Sequence, residues 1–230
     1  MHGPATSEDG SVRDLTRLIW CSLDNDDSLD LDQVTVAIPG TNGTTKILVG
    51  IADVDALVKR GSALDDHASQ NTTSVYTAGK IFPMLPARLS TDLTSLNYGC
   101  DRLAVVIEME FAADGALLGS DLYRALTRNH AKLAYRSVAA WLDGTAPMPE
   151  AIARVEGLAE NIRIQDSLAA KLKALRFSKG ALELEILEPR PVFAGDQLRE
   201  LDLEQSLHST SPLSTQPDTP LMFPGHVVNP

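Results

Sequence analysis

Alternation of apolar and polar positions, or a short apolar run, predicts strands at residues 34–38, 47–54, 103–111 and 181–187. In the last of these Leu182, Glu183, Leu184, Glu185 and Ile186 run apolar, acidic, apolar in turn, the period-two mark of a strand with one solvated face. Between the first two lies Pro39-Gly40-Thr41-Asn42-Gly43. Asn-Gly supplies the positive φ values of a tight hairpin turn, so these two strands are expected to pair antiparallel. Helical spacing predicts one helix over residues 135–142, stopped by Gly144. It predicts a second, long and amphipathic, from Pro149 through Ile152, Val155, Leu158, Ile162, Leu168, Leu172 and Leu175 to Gly180. Strands interleaved with helices, without regular β-α-β repetition, predict a mixed α/β domain rather than a doubly wound one.

A chain of 230 residues, 43% hydrophobic and 22% charged, has the length and composition to build an ordinary core without disulfides. From Gln205 the composition shifts to Pro, Ser and Thr with little apolar period, which predicts a disordered tail. The expected organisation is an N-terminal extension over 1–19, a folded domain over 20–204 and the tail over 205–230. With 20 Lys and Arg against 31 Asp and Glu the formal charge is −11, so wholesale wrapping of nucleic acid or of an anionic membrane is disfavoured and any nucleic-acid contact must be local. No apolar run approaches a membrane span, and the polar opening residues lack a signal-peptide core. Cys21 and Cys100 form neither a Cys-x-x-Cys nor a metal spacing and read as reduced thiols, so the expected location is the cytoplasm.

The densest chemistry lies in Leu23-Asp24-Asn25-Asp26-Asp27-Ser28-Leu29-Asp30-Leu31-Asp32-Gln33, directly before a predicted strand. Two carboxylates about 4 Å apart repel by roughly 4 kcal/mol at an effective dielectric near 20, so such crowding on a partly buried loop favours protonation or a bound cation. In an extended chain Asp30 and Asp32 project to one face, and Asp24 can fold back to meet them. A calcium loop starting at Asp24 would want Gly where Leu29 stands and Glu where Thr35 stands, and fails. All-oxygen donors suit magnesium or manganese, which serve phosphodiester hydrolysis. On composition alone, a solvated acidic loop explains the same residues equally well. The basic residues Arg154, Arg163, Lys171, Lys173, Arg176 and Lys179 read first as the solvated side of a helix, and His67 and His130 as surface or capping residues.

The cluster does not stand alone. It is followed in order by Ile51-Ala52-Asp53-Val54, Thr73-Ser74-Val75-Tyr76, a segment from Ile81 to Ser90 containing Pro83-Met84-Leu85-Pro86, Leu93-Thr94-Ser95-Leu96-Asn97, Asp101-Arg102-Leu103-Ala104, Glu108-Met109 and Ala131-Lys132-Leu133-Ala134-Tyr135. This series resembles the catalytic (RNB) domain of the ribonuclease II/ribonuclease R family over residues 23–187, its N-terminal half.

The resemblance implies a mixed, largely antiparallel sheet with packed helices. It also implies magnesium-dependent hydrolysis of single-stranded RNA from the 3′ end to nucleoside 5′-monophosphates. It sets Asp24, Asp30 and Asp32 on three of the family's four active-site aspartates, with Asp32 the most critical, and Gln33 on the fourth. The metal set is then Asp24, Asp30, Asp32 and Gln33, for Mg2+ or Mn2+, and Tyr76 and Tyr135 fall on RNA-contacting aromatics. The family's later His-Tyr-Thr-His-like segment, its phosphate-contacting arginine and its flanking cold-shock and S1 barrels have no counterpart in this sequence. A second polypeptide carrying the rest of the domain is an expected partner. The alternative expectation is an inactive remnant that binds RNA or a protein.

Overall fold

The computed structural model describes residues 12–26, 28–77 and 80–181, with only the backbone of Tyr76, and the backbone of two later strands at 188–194 and 197–204. The predicted strand at 181–187 and the predicted tail lie outside the described residues, apart from Ala181.

The frame is a seven-stranded mixed sheet. Its strands are β1 (Arg13–Asp14), β2 (Cys21–Asp24), β3 (Gln33–Pro39), β4 (Thr45–Ala52), β7 (Asp101–Phe111), β8 (Leu117–Arg128) and β9 (Ala131–Ala134). They lie in the order β1-β8-β7-β4-β3-β2-β9. The middle of the sheet, β3-β4-β7-β8, is antiparallel throughout, while β1 joins β8 and β9 joins β2 in parallel. Between β4 and β7 the chain makes α1 (Ala63–Asn71) and a small antiparallel hairpin of β5 (Val75–Tyr76) and β6 (Ile81–Phe82). After β9 come α2 (Tyr135–Leu142), α3 (Glu150–Ala153) and α4 (Leu158–Ser178), then an antiparallel pair, β10 (Glu188–Ala194) and β11 (Gln197–Glu204).

Both faces of the central strands are buried, which is why they read as apolar runs. Val34, Val36, Leu48, Ala104 and Val106 join Trp20, Leu31, Leu96 and Ala125 in one core. Ala37, Ile47, Val49, Met109 and Phe111 pack with Leu168 of α4 on the other side. A third cluster joins Cys21, Leu23, Ala131 and Leu133 to Val138, Ile152, Leu158 and Ile162. Residues 12–19, read from sequence as an extension, supply β1 and bring Leu15, Leu18 and Ile19 against the first core. Trp20 is fully buried, and its indole N–H donates to the Leu15 carbonyl at 2.9 Å.

The hairpin expected at Pro39 to Gly43 is present, with Asn42 at φ 56° and Gly43 at φ 76°. The strand predicted at 47–54 begins at Thr45 and ends at Ala52, because the chain turns into a 3-10 turn at Val54–Ala56. The single long helix predicted from Pro149 is two helices. Gly157, at φ 80°, breaks the helical course that the apolar spacing alone would have continued. Strands β2, β8 and β9 and helix α1 were not expected: β2 and β9 are four residues each, and the first six residues of β8 are exposed, so no alternation marks it.

α4 is fastened to the sheet by a polar clamp. Among the described residues, β3 pairs on its β2 side at Cys21↔Thr35 alone. Asn161 serves instead: its amide accepts from the Ala37 N–H at 2.9 Å and donates to the Ala37 carbonyl at 2.7 Å, with Gln165 Nε2 donating to the same Asn161 oxygen at 2.9 Å. Asn161→Leu leaves both Ala37 backbone groups buried without partners, and should lower unfolding stability by about 2 to 4 kcal/mol in urea titrations. A loss under half a kcal/mol would show that the clamp is dispensable.

Candidate active site

The acidic loop connects β2 to β3, and each end is fixed by the sheet. Asp24 ends β2, where its Oδ1 accepts the Asn25 N–H at 2.7 Å. At the other end the Asp32 carbonyl accepts the Ala52 N–H at 2.9 Å, continuing the β3-β4 ladder one residue beyond the strand. The middle is held from the side by the segment Ser95-Leu96-Asn97. The Leu31 N–H donates to Ser95 Oγ at 2.9 Å, and the Leu96 N–H to the Leu31 carbonyl at 2.8 Å. Leu31 is buried between them as the loop's apolar anchor. Ser28 Oγ donates to Asp30 Oδ1 at 3.3 Å.

These restraints bring Asp24, Asp30 and Asp32 into one electrostatic neighbourhood. Asp32 keeps part of its surface in solvent, but its carboxyl is crowded by protein, and that desolvation together with the charges of Asp30 and Asp24 pushes it up to about 6. Among the described residues no three carboxylate, imidazole or thiol groups are arranged so that they could hold a metal ion. In chemical type, though not in their arrangement here, these all-oxygen donors suit a hard divalent cation, whose charge would offset the repulsion that Asp30 and Asp24 exert on Asp32. Gln33 opens β3 opposite Ile51. By strand alternation its side chain shares the face of Thr35 and Ala37, whereas Asp32 shares that of Val34. The amide therefore reaches the carboxylates only around the end of the strand.

Tyr135, the first residue of α2, is half-buried in the Cys21–Leu133 cluster, next to the Asp24↔Ala134 pairing. Burial and, secondarily, the charge of Asp24 push its hydroxyl up to about 12, so it stays protonated and able to donate. Tyr76 lies on β5, opposite Ile81. The structure thus joins Tyr135 to the acidic loop, while the side chain of Tyr76 is outside what is described.

Two features near the site were not singled out as site chemistry from sequence. Asp53 is buried just past β4, with Oδ2 2.8 Å from Arg124 Nε, and Arg124 also pairs with Asp55 at 2.9 Å. Lys132 Nζ donates to the Ser28 carbonyl at 2.6 Å and lies 3.4 Å from the Asp26 carbonyl. Neither is visible without the β8 and β9 pairings. His130 bonds the Thr16 carbonyl and His67 bonds Asn71, in keeping with structural roles.

The RNB domain family matches residues 12–214. Over 194 residues the chain is 34% identical to ribonuclease R of Vibrio parahaemolyticus, covering 84% of this chain and 23% of that protein. It is 35% identical over 169 residues to exoribonuclease 2 of an Enterobacter species, covering 72% of this chain and 26% of that protein. The chain thus spans about a quarter of the length of the curated relatives it matches. Among solved structures, Mycoplasma genitalium RNase R in complex with ribose-methylated single-stranded RNA superposes with a TM-score of 0.79 at 26% identity, over 90% of this chain and 31% of that one.

Charge crowding at Asp32 has a measurable sign. In metal-free protein the folded carboxyl holds its proton up to about pH 6, whereas the unfolded chain loses it near the ordinary 3.8. The stability this group contributes is therefore complete below about pH 4 and is lost as pH rises through about 6. In the presence of chelator, the urea midpoint of Asp32→Asn relative to wild type should climb between pH 4 and 7 and then level off. A pH-independent difference would remove the crowding from Asp32.

Proposed function

Because the chain belongs to the RNB domain family, we propose that it is a ribonuclease that hydrolyses single-stranded RNA from the 3′ end, releasing nucleoside 5′-monophosphates with the help of magnesium or manganese. The observation that carries the reading is the charge of Asp30 and Asp24 bearing on Asp32 at the end of the central ladder. The relative's complex with single-stranded RNA supports the substrate class. Among the described residues no helix is long and apolar enough to cross a membrane.

Asp24, Asp30 and Asp32 would hold the cation, with the Gln33 amide as a weaker, neutral donor. When bound, the cation would supply positive charge against the phosphate oxygens and the leaving 3′ oxygen. The chain's own part is to hold the carboxylates: Leu31 and Ser95 fix the loop between them, and the Ala52 ladder bond fixes Asp32. The Tyr135 ring offers a face on which a base stacks, worth about 1 to 3 kcal/mol and indifferent to sequence. Tyr76 is proposed as a second RNA contact.

Several large apolar side chains stand open at this end of the fold and elsewhere, including Leu29 at 68% exposure, Tyr98 at 64% and Leu122 at 66%. Open apolar side chains of this kind support a surface that covers them, proposed to belong to a polypeptide carrying the remainder of the domain. Gln33 favours a second reading, an inactive member that binds RNA without cleaving it, because its amide replaces a charge.

The test uses end-labelled single-stranded RNA with millimolar magnesium, alone and with the C-terminal part of a relative's domain added in trans. Mononucleotides should appear, more of them in trans. Asp32→Asn should abolish their release while leaving RNA affinity within a few-fold, and Tyr135→Ala should weaken binding or lengthen the final product. Bound RNA without any magnesium-dependent release under either condition would replace the first reading by the second. Magnesium or manganese should also raise the melting temperature, and Asp30→Asn with Asp32→Asn should erase that gain; an unchanged gain in the double variant would remove these residues from the metal set.

A further inference from the structure

Lys132 takes no part in the reading above, yet the sheet aims it at the acidic loop. In the parallel pair β2-β9 the registers Ser22↔Lys132 and Asp24↔Ala134 place Lys132 and Asp24 on the same face. The opposite face, Cys21, Leu23, Ala131 and Leu133, is buried against the helices. From this position the half-buried ammonium reaches across the loop. It donates to the Ser28 carbonyl at 2.6 Å, with the Asp26 carbonyl at 3.4 Å. Ser28 in turn bonds Asp30 through its hydroxyl at 3.3 Å. A continuous path therefore runs from a rigid strand through Lys132 and Ser28 to one of the three carboxylates.

The nature of the contact is informative. An ammonium beside a group of carboxylates would ordinarily neutralise one of them, but the bonds made by this one go to backbone carbonyls. We propose that Lys132 is a positioning residue for the metal set: it fixes the turn between Asp24 and Asp30, so that Asp30 is held beside Asp32 for a divalent cation. This rests on the metal reading given above. Two effects of the lysine then oppose each other. Its charge repels a cation, whereas its bonds order the donors, and partners that orient metal ligands typically govern affinity by about 10- to 100-fold. Hydrogen bonds to neutral carbonyls leave the ammonium charged, so in this proposal the ordering of the donors must outweigh that repulsion.

The opposition makes the sign of the result decisive. Mn2+ binding to the full chain is measured by calorimetry at constant pH, alongside backbone hydrogen exchange of the Ser28 and Leu31 amides. Lys132→Met should weaken Mn2+ binding about tenfold or more and speed exchange in the loop. Lys132→Arg, which keeps a donor, should recover most of the affinity; should the methionine variant not fold, Lys132→Gln, with one neutral donor, should fall between. Equal or tighter Mn2+ binding in Lys132→Met or Lys132→Gln overturns the inference, since charge alone would then describe the residue. So does a loss confined to RNA affinity, which would make Lys132 a phosphate contact. A wild-type chain that binds no Mn2+ overturns the metal reading and the inference with it, whereas wild-type binding matched by Lys132→Met overturns the inference alone.

Discussion

The β3-β4 ladder is the constraint on which the rest depends. Val34 and Val36 are buried on one face while Thr35 and Ala37 are buried on the other, so a slip of one residue would exchange two sets of side chains selected for different neighbours. Register is thereby fixed at every position, and the ladder carries that precision past the strand to Asp32, whose carbonyl still pairs with Ala52. The backbone that carries this carboxylate is thereby held beside its negative neighbours. The same rigidity that secures the core is what lets like charges persist near one another, as sites of chemistry generally require.

Rigidity at Asp32 would be of little use if the loop before it were slack. The loop runs from the end of β2 to the start of β3 and has no ladder of its own, so the few bonds within it are supplemented by groups outside it. Ser95 and Leu96 hold Leu31, burial holds the Leu31 side chain, and β9 contributes Lys132 from the far side. Each of these arrives from a different part of the chain. The site is thus a property of the assembled sheet: β2 and β9 pair in parallel, β3 pairs with both β2 and β4, and only their joint placement brings Asp24, Asp30, Asp32 and Tyr135 to one end.

This explains which parts were legible in the sequence. Strands β3, β4 and β7 announce themselves because apolar positions dominate strands buried on one or both faces, and Asn42-Gly43 fixes their hairpin locally. The acidic loop was visible as a cluster, and the series of motifs that follows it carried the family resemblance. What period could not reveal was long-range. β8 spends its first half exposed, β2 and β9 are too short to show a period, and Gly157 interrupts an apolar stripe that continues across it without change. Lys132 and Asn161 escaped for a further reason. Their roles consist in bonds to backbone carbonyls of Asp26, Ser28 and Ala37, and a carbonyl leaves no mark in a sequence.

Gln33 now has a physical context. Asp32 already feels two negative neighbours, and a further carboxylate at position 33 would add repulsion wherever it came within reach of them. A neutral amide spares the metal-free fold that cost but surrenders the matching attraction for a cation. The two consequences share one origin, so a chain with Gln33 trades cation affinity for stability in the cation's absence. Its position at the head of β3, on the face shared with Thr35, leaves the three aspartates on the loop side to supply the field. In the proposed reading Asp24, Asp30 and Asp32 together hold the cation. That places the burden of affinity on how well the loop is ordered rather than on how much charge it carries.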